Sequence, residues 1–337
     1  MSAPKSDKMV LAGDIGGTKT HLAVFAPGSD VRTPFREKIY TSGHYPSLEA
    51  LAREFLAAID AQVEYAGFGV AGPVVAGRAK ITNLPWVMDE AQLAEALDLR
   101  SVHLLNDLEA IAGAVPTLRE ADRVVLNRGQ AASGGAVAVI APGTGLGEAF
   151  LVWDGARYLA QPSEGGHADF APSNALEAGM LGRLQRRFGH VSWERVCSGS
   201  GLPNIYDFLK TSGQAQEPDW LAEALAAADD PTAVIVRAAL DPGRPCRLCQ
   251  ATLKTFVTIL GAEAGNLALK VMATGGVYLG GGMPPRIMPA LGDGSFMKAF
   301  VHKGRMAPLL RQMPVYVITN PKAALWGAAR RAMGSSA

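Results

Sequence analysis

Two turns in this chain mix glycine with threonine: Gly13-Asp14-Ile15-Gly16-Gly17-Thr18 and Pro142-Gly143-Thr144-Gly145-Leu146-Gly147. Glycine lets backbone N–H groups come close to a phosphate without Cβ interference, and threonine adds a hydroxyl donor. Either turn alone reads equally well as a plain hairpin between strands; the pair together favours phosphate binding. Two common nucleotide architectures are excluded. A dinucleotide fold needs G-x-G-x-x-G opening a helix, but the second turn lacks the last glycine and runs into an extended apolar segment. A Walker A loop needs G-x-x-x-x-G-K-[ST], which Gly13 to Lys19 does not supply. Asp14 inside the first turn would repel a phosphate unless a cation intervened. Mg²⁺ suits that place, because it keeps its waters while bridging one or two carboxylates to phosphates. The competing reading of Asp14 is an Asx-turn.

Asn106-Asp107 stand where an apolar run ends and a helical pattern begins. Phosphoryl transfer to a hydroxyl needs a base for the proton, and Asp107 has the residue type and the strand-end place for it. A plain helix cap explains the same two residues. Glu164, His167 and Glu194 could accept and donate paired hydrogen bonds to neighbouring hydroxyls of a sugar. Read without context they are solvated surface, or, for Glu-x-x-His, part of a metal site. Cys246-Arg-Leu-Cys249 has no second Cys or His pair beside it and opens a long helical pattern, so it reads as helix and core rather than zinc or redox chemistry.

These residues need a scaffold, and the patterning supplies an α/β one. Extended runs flank each glycine turn: Met9–Ala12 and His21–Phe25 around the first, Ala136–Ile140 and Ala149–Trp153 around the second. Further strands are expected at Tyr65–Ala71 and Ser101–Leu105, with helices after Ser47, after Asp89, from Asp107 to about Val115, and over Ala175–Phe188, Trp220–Ala228, Cys246–Lys270 and Lys322–Met333. The recurrence of strand, Gly/Thr turn, strand points to two related halves. A looser polar stretch from Pro116 to Ser133 is the expected crossing between them.

Composition fits an enzyme-sized globular chain of 337 residues, 48% hydrophobic and 19% charged. Lys+Arg 32 against Asp+Glu 31 leaves a formal charge of +1, so neither nucleic acid nor a membrane surface is an expected partner. Three cysteines make no disulfide framework, and the N-terminal segment has no apolar stretch suited to a signal peptide. The charge-free window Gly129–Gly147 holds six glycines and Pro142 and does not read as a membrane span. The expected address is the cytoplasm.

Taken in order, the motifs resemble those of the sugar kinase, heat-shock-protein ATPase and actin superfamily. Gly13–Thr18 is similar to its first phosphate motif, Ala141–Gly147 to its second, and Leu279-Gly280-Gly281-Gly282-Met283 to its adenosine motif. Leu104-Leu-Asn-Asp-Leu108 and Pro162-Ser-Glu-Gly-Gly-His-Ala-Asp-Phe170 narrow the resemblance to bacterial-type glucokinases, colinear from Val10 to about Arg330. The resemblance implies two ribonuclease-H-like α/β domains of the actin-like ATPase kind with a cleft between them that hinges closed. The small domain would be residues 1–117 plus 320–337, and the large one residues 118–319. It implies ATP-dependent phosphorylation of D-glucose, with Asp107 as catalytic base and Asn106, Glu164, His167 and Glu194 on the sugar. Asn83 is a weaker sugar candidate. ATP would meet Gly13, Asp14, Ile15, Gly16, Gly17, Thr18, Gly143, Thr144, Gly145, Gly280, Gly281 and Gly282, with Mg²⁺ held at Asp14 through water. Related members of the repressor–kinase family carry a zinc-binding cysteine cluster just after the His motif, whereas Ala168 to Ser192 holds no cysteine, so structural zinc is not expected. A homodimer is the implied assembly. The alternatives are a kinase for mannose, fructose or an N-acetylhexosamine, and, further off, a sugar-sensing regulator. Such regulators carry a helix-turn-helix ahead of the first strand, where this sequence has about eight residues.

Overall fold

The computed structural model describes residues 9–59, 62–81 and 84–334. The chain divides into two units: residues up to 119, 156–162 and from 320 onward form one, and residues 120–155 and 163–319 the other. The expected large domain differs at residues 118–119 and 156–162, which go with the first unit.

In the first unit the β-branched and aromatic runs become strands: β1 (Met9–Ile15), β2 (Lys19–Phe25), β3 (Arg36–Thr41), β4 (Val63–Val70), the short β5 (Val74–Val75), β6 (Arg78–Lys80) and β7 (Val87–Asp89), and β8 (Ser101–Asn106). Five of them make one sheet in the order β3-β2-β1-β4-β8, and β5-β6-β7 form a small separate sheet. β1 pairs antiparallel with β2 and parallel with β4, and β4 pairs parallel with β8. Helix α1 (Leu48–Ala57) starts where Ser47 Oγ accepts the Ala50 N–H, and it buries Leu48, Leu51, Ala52 and Phe55. Asp89 caps α2 (Glu90–Leu97) in the same manner. Helix α3 (Asp107–Ala114) follows β8 directly. The C-terminal helix, Ala323–Met333, packs on α3, β4 and β1 through small residues, Ala324, Ala328 and Ala329 among them. That alanine face lets backbones approach closely and returns the end of the chain to the unit that holds its beginning.

A second sheet repeats the plan. Its strands are β9 (Arg123–Asn127), β10 (Val137–Pro142), β11 (Leu146–Trp153), β12 (Tyr158–Ser163), β13 (Gly276–Leu279) and β14 (Val315–Ile318), in the order β12-β11-β10-β13-β14-β9. β10 pairs antiparallel with β11 and parallel with β13, and β13 parallel with β14. Without β9, this is the strand order of the first sheet, and the pairings from β11 to β14 have the same senses as those from β2 to β8. The core is built on α4 (Ala175–Phe188), α5 (Leu202–Thr211), α6 (Asp219–Ala226), α7 (Pro231–Leu240) and the 25-residue α8 (Arg247–Val271).

Three expectations are corrected. The strands run into both glycine motifs, so Gly13, Asp14 and Ile15 belong to β1, and Pro142, Leu146 and Gly147 lie in strands. The polar crossing contains β9, an edge strand whose exposed Val124 and Val125 hide its pattern. Helices α5 and α7 were not expected.

Candidate active site

The first unit brings Asp14, Asn106 and Asp107 to one edge of its sheet. The parallel register sets Asp14 opposite Gly69 and Ile15 opposite Val70, and sets those two opposite Leu105 and Asn106, so β1 and β8 end together. Ligands in such α/β sheets gather outside the carboxyl ends of parallel strands. The first glycine turn is a tight hairpin in which the Gly16 N–H donates to Lys19 O at 3.0 Å. Ser42, a residue that sequence reasoning missed, braces it: its Oγ donates to Gly16 O at 2.8 Å and its N–H to Thr18 O at 3.0 Å. Gly13 and Ile15 are buried within β1, where Phe68 and Leu22 fill the space beside Gly13. Asp14, Gly16, Gly17 and Thr18 are left accessible.

Asn106 is the N-cap of α3: its Oδ1 accepts the Leu108 N–H at 2.9 Å and its Nδ2 donates to Gly72 O at 3.0 Å. Asp107 opens the helix, and its Oδ1 accepts the same Leu108 N–H at 2.9 Å. Burial raises the Asp107 carboxyl above the usual range, against the pull of backbone N–H groups. Asp14 is pushed up to about 6, first by burial and then by the Asp107 carboxylate. No described residue hydrogen-bonds to the Asp14 carboxylate. Two desolvated carboxyls thus lie near enough at this end of the sheet for the Asp107 charge to raise Asp14.

In the second unit three loops converge on Leu146. The second glycine turn closes as the Gly143 N–H donates to Gly145 O at 2.9 Å. The Leu146 N–H beyond it donates to Glu194 Oε2 at 2.9 Å, and that carboxylate lies so near Gly145 that a Cβ there would come within 2.5 Å of it. On the other side, Gly166 packs against the Leu146 carbonyl. Gly166 belongs to the 3-10 turn Gly165–His167 that follows Glu164, and the Trp193 N–H beside Glu194 donates to Ala168 O at 3.0 Å. Glu164 and His167 are exposed, with His167 Nε2 3.8 Å from Glu164 Oε2. Glu164, His167 and Glu194 are therefore collected beside the second glycine turn. Asn83 lies outside the described residues.

Gly280, Gly281 and Gly282 reach the same turn from β13. The Gly280 N–H donates to Ile140 O at 2.9 Å and the Met283 N–H to Pro142 O at 3.3 Å. Gly281 has φ +80°, and a Cβ on it would be 3.0 Å from Pro142 O, so glycine is required on both counts. Gly143, Thr144, Gly282 and Arg286 line a cavity of about 1090 Å³, together with Thr232 and Arg237 of α7. Asp230 caps that helix, and Thr232 Oγ1 donates to Gly199 O at 2.6 Å. Sequence reasoning missed Thr232, Arg237 and Arg286, although the Asp230-Pro231 pair is a legible helix start.

A glycine hairpin heading each of two sheets of the same order defines the class: two ribonuclease-H-like domains of the actin-like ATPase kind. The chain belongs to the glucokinase family, whose model, described as Glucokinase, matches residues 11–335. It is 40% identical over 95% of its length to the glucokinase of Trichormus variabilis, of which 98% is covered, and 35% identical to that of Photorhabdus laumondii, with 94% of each covered. Among solved structures it is similar to a glucokinase from an Antarctic psychrotroph, at TM-score 0.81 and 31% identity over 97% of this chain and 99% of that one. It shares the fold of a ROK family glucokinase from Streptomyces griseus solved with glucose and AMPPNP, at TM-score 0.62 and 22% identity over 97% of this chain and 99% of the other.

Proposed function

We propose that this chain transfers the γ-phosphoryl group of ATP to the 6-hydroxyl of D-glucose, giving D-glucose 6-phosphate and ADP. The observation that carries the reading is Asp107: a desolvated carboxyl with a raised pKa, accepting only an N–H of its own helix, at the carboxyl end of β8. Such a carboxylate accepts a proton more readily than one in water. Asp107 takes the proton of the 6-hydroxyl as its oxygen attacks the γ-phosphorus, and the bond to the ADP oxygen breaks. Asn106, Glu164, His167 and Glu194 hold the remaining hydroxyls, with carboxylates accepting the stronger, charge-assisted bonds. The cavity beside Gly143, Thr144 and Gly282 is large enough for a nucleotide, and Arg237 and Arg286 supply positive charge for its phosphates.

Asp14 fits a magnesium site. It is a largely desolvated carboxylate with no hydrogen-bond partner among the described residues, raised partly by a second carboxylate, and a cation relieves both costs. No group of three His, Cys, Asp or Glu among the described residues is placed to hold a metal. One carboxylate acting through water is the magnesium pattern rather than the zinc one. When bound with the nucleotide, Mg²⁺ supplies positive charge that neutralises the phosphate oxygens. The three cysteines, Cys197, Cys246 and Cys249, are free and buried, which supports a cytoplasmic address. No helix among the described residues is long and apolar enough to cross a membrane. The assembly we assign is a homodimer, on family resemblance, and light scattering tests it.

A coupled assay for glucose 6-phosphate, with ATP, ADP and polyphosphate tried in turn, tests the reaction. ATP is expected to be the donor, EDTA to abolish turnover and Mg²⁺ to restore it, while zinc-selective chelation leaves it unchanged. Turnover of mannose, fructose or an N-acetylhexosamine at a kcat/KM matching that of glucose would replace glucokinase with a broader hexose kinase.

A further inference from the structure

Beneath the turn that carries Glu164 and His167 lie two carboxyls that the reaction does not use. Glu148, on β11, is 2% exposed, and Glu263, midway along α8, is 0% exposed. Glu148 Oε2 presses on the turn from below: a Cβ at Gly165 would stand 2.0 Å from it. Gly165 in turn donates its N–H to Ser163 Oγ at 3.0 Å. The shape of the turn is therefore set against the Glu148 side chain.

The charges around this pair are unevenly placed. On α8, Glu263 Oε2 accepts from Asn266 Nδ2 at 2.8 Å, and Lys270 Nζ stands 3.7 Å from Glu263 Oε1. From the segment after the helix at Ser295–Phe300, Lys303 Nζ donates to Asn266 Oδ1 at 2.6 Å. Glu177 of α4, satisfied by Ser173 and Asn174, faces Lys303, and the buried Cys197 thiol adds no cation. Both lysines make their contacts on Glu263 and Asn266; Lys270 also pulls Glu148 down, but no described residue forms an ion pair with Glu148. Glu148 Oε1 and Glu263 Oε1 are both buried with no hydrogen-bond donor on them, and the Glu263 carboxylate is near enough to raise Glu148. Two buried carboxyls that raise one another cannot both stay ionised, so the pair holds one proton. Burial first, then the Glu263 charge, pushes Glu148 up to about 8.

We propose that the proton shared by Glu148 and Glu263 holds the Glu164–His167 turn in its sugar-binding shape, making Glu148 a positioning residue for the sugar. The inference rests on reading Glu164 and His167 as sugar contacts. Loss of the proton places two like charges under the turn, and the turn gives way before the core does.

Two measurements on the full chain test it. Hydrogen exchange of residues 163–168, corrected for the intrinsic pH dependence, is expected to quicken above pH 8 in the wild type. The KM for glucose at saturating ATP is expected to rise about tenfold from pH 7 to pH 9, as linkage to one proton requires, with kcat and the KM for ATP unchanged. Glu148→Gln keeps the size and a donor toward Glu263 but cannot ionise, so both profiles should become flat. Exchange in the wild type that is the same at pH 7 and pH 9 overturns the proposal without recourse to any variant. A KM rise that Glu148→Gln retains also overturns it. Exchange that quickens while the glucose KM stays level sinks the assignment of Glu164 and His167 to the sugar instead, and leaves the carboxyl pair holding the turn.

Discussion

At the scale of single residues, capping and catalysis are compatible at Asp107. The cap interaction uses Oδ1 toward the Leu108 N–H, and Asn106 supplies a second acceptor for that same group. The other carboxylate oxygen is left for a hydroxyl proton. Asp107→Asn keeps an amide oxygen for the cap and removes the base. Its turnover should fall about 10²–10⁴-fold, the usual cost of losing a general base. Glucose affinity by calorimetry should change far less, because Asn106, Glu164, His167 and Glu194 remain. A variant keeping more than about a tenth of wild-type turnover would leave Asp107 as a cap and nothing else. Glu164→Gln should do the reverse, weakening glucose binding as a charged acceptor becomes a neutral amide. Residue type and strand-end position made Asp107 legible in the sequence; its partner in repulsion, Asp14, was legible only as a carboxylate near phosphates. What sequence could not convey is which glycines face a ligand. Gly13 is filled around by Phe68 and Leu22, whereas Gly143 and Gly282 face open space. The tie from Glu194 to the Leu146 N–H spans 48 positions, and no local pattern encodes it.

At the scale of elements, the glycine motifs are hairpins whose strands penetrate the motif from both sides. Glycine favours turns in general, so the sequence reading gave too much to the turns and too little to the strands. Helix α8 was legible to within a residue at each end because a long apolar stripe outvotes local detail. Edge strand β9 was not, since two of its valines face solvent and supply no alternation. Helix α7 was missed although Asp230 caps it and Pro231 opens it, because alanine and valine fill so much of it that no single face stands out. Gly281 and Gly282 offer a test at this scale. Gly281→Ala places a side chain in the left-handed region, at about 1–2 kcal/mol, and against Pro142 O. It should lower the melting temperature and raise the KM for ATP together. Gly282 meets nothing within 4 Å, so Gly282→Ala should leave the melting temperature in place and still raise the KM for ATP several-fold by filling the cavity. Equal losses of stability in the two variants would mean that Gly282 packs rather than lines a nucleotide site. In both, the KM for glucose should hold.

For the whole molecule, the same sheet order appears twice although the two stretches share little sequence. That is physically reasonable: hydrophobic pattern and a tight glycine hairpin specify a β3-β2-β1-β4-β8 type of sheet, while most side chains around it are free to differ. Buried acids then govern how stability depends on pH. Asp14, Asp107, Glu109, Glu148 and Glu263 are all raised in the fold. An acid raised by folding holds its proton in the native state after the unfolded chain has lost it, so stability falls as pH climbs from the unfolded value to the folded one. His21 and His103 are lowered, mainly by burial, and act oppositely: they add stability as pH rises toward 6.5 and contribute no slope above it. Glu37, Asp89 and Glu217 are lowered, so what they contribute is present above the unfolded carboxylate value and is lost only in acid. Between pH 7 and 8 His21 and His103 are mostly neutral in both states, and Asp14, at about 6, is already mostly ionised. Glu148, at about 8, still releases its proton there. One proton bears at most about 1.4 kcal/mol per pH unit, and a group half-titrated at the upper end contributes about 1 kcal/mol over that unit. For a unit of this size that is about 2–4 °C. Calorimetry of the transition containing the second unit should therefore show the melting temperature falling by that amount from pH 7 to pH 8. The slope should vanish in Glu148→Gln. A wild-type transition that is level across this window would mean that Glu148 is already ionised in the native state, with its charge compensated by Lys270.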